Sequence, residues 1–116
     1  MQHELSKPQK KIARTIVGKG LMKDYEKALK EVEATLISWM QDKLDNREAY
    51  IKVYEQITSS DHFIARRYDN MKGSTYLRII AQQLADGLIS EEDLEGLEEE
   101  HVLTITSWAK IFSEGF

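Results

Sequence analysis

The chain has 116 residues, 41% of them hydrophobic and 31% charged, with a formal net charge of −4, one proline and no cysteine. That composition fits one soluble globular domain able to bury a core without disulfide or metal support, and it is too apolar for a disordered chain. It excludes disulfides, thiolate metal sites and cysteine nucleophiles, and no apolar run nears the ~20 residues that span a bilayer.

Charge is unevenly spread. Residues 1–23 carry Lys7, Lys10, Lys11, Arg14, Lys19 and Lys23 against Glu4 alone, whereas residues 86–101 hold eight Asp and Glu with no Lys or Arg. Oppositely charged segments can pair within one molecule or between two.

Residues 1–7 read as a tail. Pro8 suits the first turn of a helix, where its missing N–H does no harm. A short basic helix is expected from Pro8 to Val17, ended by Gly18 and Gly20. Asp24 then caps a long helix, Asp24 to Leu44. Tyr25, Leu29, Val32, Leu36, Trp39 and Met40 recur there every three or four residues and line one face. This helix is expected to be the element on which the others lay their apolar sides.

Asp45 and Glu48 fit a capping box, D-x-x-E, opening a helix from Asn46 to Thr58 with Tyr50, Val53, Tyr54 and Ile57 on its stripe. Ser59-Ser60-Asp61 reads as a break before a helix from Asp61 to Lys72. Gly73 closes that one and Ser74 or Thr75 opens the next, which runs to Ala85. Asp86-Gly87 is a turn signal. Ser90 and Asp93 then form another box, with Ile89 and Leu94 placed as a hydrophobic staple. The last helix is expected over residues 90–112, weakened by Gly96 and by the β-branched run Val102 to Thr106, with a break near residue 101 left open. Residues 113–116 read as a tail. The expected fold is all-α: a compact single-domain bundle over residues 1–116 of five or six helices, two of them long.

The densest polar pattern is His62 to Tyr76. His62 and Arg66 share a helical face, and Gly73, Ser74 and Thr75 offer backbone N–H groups at a helix start, a natural seat for an anion. His62, Arg66, Arg67, Asp69, Gly73, Ser74 and Tyr76 are therefore the candidate binding site, set against the plainer reading of an ordinary helix boundary with surface charges. The basic patch Lys7, Lys10, Lys11, Arg14, Lys19 and Lys23 could meet nucleic acid, helped by Arg66, Arg67 and Arg78. No aromatic is interleaved there, and the acidic segment would repel phosphate. A helix-turn-helix around Gly73 would put Arg78, Gln82 and Gln83 on its second helix.

Catalytic and metal signatures are missing. There is no HExxH or GxSxG, and the acidic run lacks the order of a calcium loop. His101, on an apolar stripe beside Glu98 and Glu100, is expected to be buried or half-buried with a hydrogen-bond partner. The reading is thus a small, cytoplasmic, bacterial, non-enzymatic protein-interaction or regulatory module without cofactor, metal or membrane association. Its partner is another protein or a second copy. The alternatives are nucleic-acid binding and a small anion-binding domain.

Overall fold

The computed structural model describes residues 5–73 and 75–114, and within them the chain is all-helical. The elements are α1 (Lys7–Met40), α2 (Asn46–Tyr68), α3 (Tyr76–Ala85), a 3₁₀ turn (Glu91–Leu94) and α4 (Glu99–Glu114). Among the described residues four α-helices stand where five or six were expected, and the two long ones are α1 and α2 rather than residues 24–44 and 90–112. No helix among the described residues is long and apolar enough to cross a membrane.

Contacts divide the chain into two compact units. One comprises the described residues of Met1–Met22 and Tyr68–Phe116, the other Lys23–Arg67.

The first unit contains the hydrophobic core. Ala13, Ile16 and Val17 of α1 meet Leu77, Ile79 and Ile80 of α3, Ile89 and Leu94 around the 3₁₀ turn, and Ile105 and Ala109 of α4. The N-terminal tail shortens: Leu5 is buried in this core, and the Ser6 hydroxyl accepts from the Gln9 N–H at 3.3 Å as a helix cap. The remainder of both tails, residues 1–4 and 115–116, lies outside the described residues, and Ser113 and Glu114 belong to α4.

Gly18 and Gly20 do not end a helix. Glycine terminates one by turning left-handed, and neither does so here. The apolar residues before them are committed to the core, and the helix continues beyond.

The end of α3 is closed by Gly87, with Leu88 N–H donating to the Gln83 carbonyl at 2.9 Å. The Ser90–Asp93 box forms, Asp93 Oδ2 accepting from the Ser90 N–H at 2.8 Å. It opens only a 3₁₀ turn, because Gly96 sits at φ +101°, a conformation no helix contains. Gln9 then takes the backbone groups that a continuous helix would pair internally: its Nε2 donates to the Gly96 carbonyl at 3.1 Å, and its Oε1 accepts from the Glu98 N–H at 2.8 Å. The break thus falls before residue 101 and α4 starts at Glu99. His101 is buried, with Nε2 3.4 Å from Glu98 Oε1.

Lys19 of α1 donates to Asp93 Oδ1. That bond, with the Ser90 N–H, holds the Asp93 carboxyl below the usual carboxylate range. A depressed folded pKa stabilises the fold above the unfolded value of about 3.9 and ceases to do so as pH falls through the folded value. Asp93→Asn is therefore expected to lower Tm at pH 7, with the difference from wild type shrinking as pH falls below the ordinary carboxylate range and through the lowered folded value. A difference that stayed constant over that range would show that the charge pair contributes nothing.

The second unit is a helical hairpin. Partners pair in descending order: Asp24 with Arg67 at 3.6 Å, Thr35 Oγ1 donating to Gln56 Oε1 at 3.0 Å, and Trp39 Nε1 donating to Asn46 Oδ1 at 2.8 Å. Such pairing requires antiparallel chains. Asp42, at φ +61°, closes α1, with Lys43 N–H reaching the Ser38 carbonyl at 2.9 Å. The Asp45–Glu48 box opens α2 reciprocally, at 3.0 and 2.7 Å. Ser59-Ser60-Asp61 does not break α2, since these residues cost a helix only tenths of a kcal/mol each and the seam with α1 continues to Arg67. Asp24, expected as a cap, is instead buried within α1.

Candidate partner-binding face

The seam of the hairpin is narrow. Thr35, Ala49, Asp24 and Arg67 are its buried residues. The stripes expected to be core lie outside it. Tyr25, Leu29, Leu36, Trp39 and Met40 of α1 are exposed, as are Tyr50, Tyr54 and Ile57 of α2. Residues 24–44 contribute nothing to the hydrophobic core, which corrects their expected role as the organising element. Asp24 and Thr35 explain it: on α1 they lie about 100° round from the apolar stripe at 100° per residue, and they are what faces α2.

The two displaced stripes meet on one face where Leu36 and Trp39 stand beside the α2 stripe. Leu36 and Trp39 with Ala49, Tyr50, Val53, Tyr54 and Ile57 line an open groove of about 470 Å³, in which Asn46 supplies the main polar side chain. Its amide oxygen is occupied by the Trp39 indole N–H, which leaves the indole ring to line the groove. Tyr and Trp are suited to such a place, because each offers a large apolar ring and a polar end that tolerates water.

The residues first proposed as a site are distributed differently. His62, Arg66 and Arg67 belong to α2 in the second unit, whereas Asp69, Gly73 and Tyr76 belong to the first. His62 and Arg66 are exposed. Arg67 is buried, its guanidinium against Asp24 and 4.7 Å over the Phe63 ring, so its charge is turned into the hairpin rather than toward an anion. Tyr76 is buried and its hydroxyl accepts from Arg14 Nε at 3.2 Å. Gly73 packs against the side chain of Lys10, Asp69 is exposed, and Ser74 lies outside the described residues.

The basic patch lies along α1, and several of its members have partners. Lys19 pairs with Asp93, Lys23 with Glu26 at 3.5 Å, and Arg14 with Tyr76. Lys7 and Lys11 are exposed and Lys10 is half-buried. Of the residues suggested for a second helix-turn-helix helix, Arg78 is exposed but Gln83 is fully buried, its Nε2 donating to the Val17 carbonyl at 3.0 Å and the Tyr68 hydroxyl at 2.9 Å. Gln83 cannot reach a base edge. Among the described residues no three His, Asp or Glu side chains converge as metal ligands.

No protein-family model matches the chain, and neither a curated protein nor a solved structure does. The geometry of the groove therefore carries the functional reading alone.

Proposed function

We propose that the chain is a non-enzymatic protein-interaction module, and that the α1–α2 groove receives an apolar helical surface. One observation carries the reading: Tyr50 and Tyr54 stand exposed on the wall of an apolar groove. Contiguous apolar surface of this kind is costly to leave in water and marks association sites. Tyr and Trp are also the residues in which interface energy concentrates. Nucleic-acid binding has weaker support, since Arg14, Lys19 and Lys23 have partners and Arg67 is buried.

The tagged chain, immobilised and challenged with its untagged copy and with cell extract, is expected to retain a partner in about 0.5 M salt, where exposed charge contacts are largely screened. Tyr50→Lys/Tyr54→Lys is expected to lose that partner while keeping its helicity. Retention of nothing by the wild-type chain, or equal retention by the variant, overturns the reading.

A further inference from the structure

The geometry points to a second copy of this chain as the occupant of the groove, the two hairpins pairing about a twofold axis into a four-helix bundle. This inference rests on the reading of that face as a partner-binding surface. Three observations favour a copy over another occupant.

The first is area. Tyr25, Trp39, Tyr50 and Tyr54 are 46, 40, 77 and 67% exposed. With about 150–250 Å² per aromatic side chain, these four alone present roughly 450 Å². Leu36 and Ile57, at 41 and 44% exposure, line the groove with Trp39, Tyr50 and Tyr54, and Leu29 and Met40, at 63 and 65%, carry the α1 stripe on beyond it, as Tyr25 does. The whole approaches the ~800 Å² that each partner contributes to a stable interface.

The second is charge. Residues 23–67 hold eight Lys and Arg against nine Asp and Glu. A nearly neutral unit meets its own copy without long-range repulsion. The same balance disfavours an anionic membrane surface or nucleic acid, both of which select a basic face.

The third is shape. A 45-residue unit of two helices buries little of its own apolar surface, and units this small are ordinarily completed by oligomerisation or metal. Two antiparallel hairpins, each apolar on one face, complete one another as an antiparallel four-helix bundle. A twofold axis needs only one self-complementary patch, so Tyr50 and Tyr54 of each copy would meet the α1 stripe, or the same residues, of the other.

Sedimentation equilibrium of the full chain at micromolar to 100 μM concentration is expected to give twice the 13.5 kDa chain mass. Tyr50→Lys/Tyr54→Lys is expected to sediment at the single-chain mass with an unchanged far-ultraviolet dichroism spectrum. Leu29→Glu/Met40→Glu, on the other helix, is expected to do the same, and decides the matter if the tyrosine variant does not fold. A wild-type monomer throughout this range overturns the inference. A dimer that persists in both variants overturns it too, by placing the contact elsewhere. A wild-type monomer that still retains an extract partner through Tyr50 and Tyr54 sinks the second copy alone; a monomer that retains nothing sinks the partner-binding reading with it.

Discussion

Replacing either Asp24 or Arg67 by alanine is expected to destabilise the hairpin by about 3 kcal/mol, the low end of what a broken buried ion pair costs. The two side chains are each 6% exposed and 3.6 Å apart. Neither charge can recover bulk water when its partner is removed, so the survivor remains desolvated and uncompensated. Arg67 loses more than an ion pair, because its guanidinium also lies over the Phe63 ring. Arg67→Lys is consequently no conservative change: an ammonium keeps the charge but not the planar stacking. Asp24→Leu combined with Arg67→Met should recover most of the loss, since apolar side chains of similar volume leave no charge buried. Urea unfolding followed by circular dichroism measures all of these. Single-variant losses that simply add in the double variant would show that the two residues do not act as a pair.

Gly20→Ala is expected to destabilise the first unit by about 2 kcal/mol, although alanine is the better helix former by about 1 kcal/mol. A Cβ at position 20 would stand 2.2 Å from Gln83 Nε2 and 2.4 Å from its Cδ. The end of a glutamine ordinarily moves aside at little cost. Here it is fully buried and held by its bonds to Val17 and Tyr68, each worth about 1 kcal/mol net and more when a buried group is left unmet. Gly18→Ala is the internal control. Nothing lies within 4 Å of its Cβ position, so it should stabilise by about 0.5–1 kcal/mol through propensity alone. Opposite signs for two glycines separated by one residue are the signature expected. In a Gln83→Ala background the Gly20→Ala penalty should fall sharply, because the crowding atoms are gone. A stabilising Gly20→Ala in the wild-type background would contradict the packing described.

Both sites show where local pattern stops informing. The capping boxes at Asp45–Glu48 and Ser90–Asp93 were legible because a cap is satisfied within four residues. The stripes of α1 and α2 are legible as helical periodicity, and Tyr25, Leu36, Trp39, Tyr50 and Tyr54 stand out on them, read mostly as core with some Tyr and Trp ends near the surface. Periodicity shows that a face is apolar and not what covers it. Their aromatic character was the one available sign of an interface, Tyr and Trp being residues that accept partial exposure. The His62–Tyr76 cluster was drawn from adjacency in sequence. It lost Arg67 to Asp24, a partner 43 positions away that no local rule connects to it.

The sequence by itself determined that this protein is helical, where α2 begins and that Pro8 lies in a first turn. These follow from bonds and spacings closed within a turn or two of chain. Only the tertiary structure decided that α1 runs through Gly18 and Gly20, that α2 runs through Ser59-Ser60-Asp61, and that Asp24 is a buried partner rather than a cap. It also decided that the most regular apolar stripe faces outward. The reason is one of range. A glycine, a serine pair or an apolar stripe biases the backbone by a kcal/mol or less per residue, and contacts with residues tens of positions away outweigh that bias while leaving no local mark.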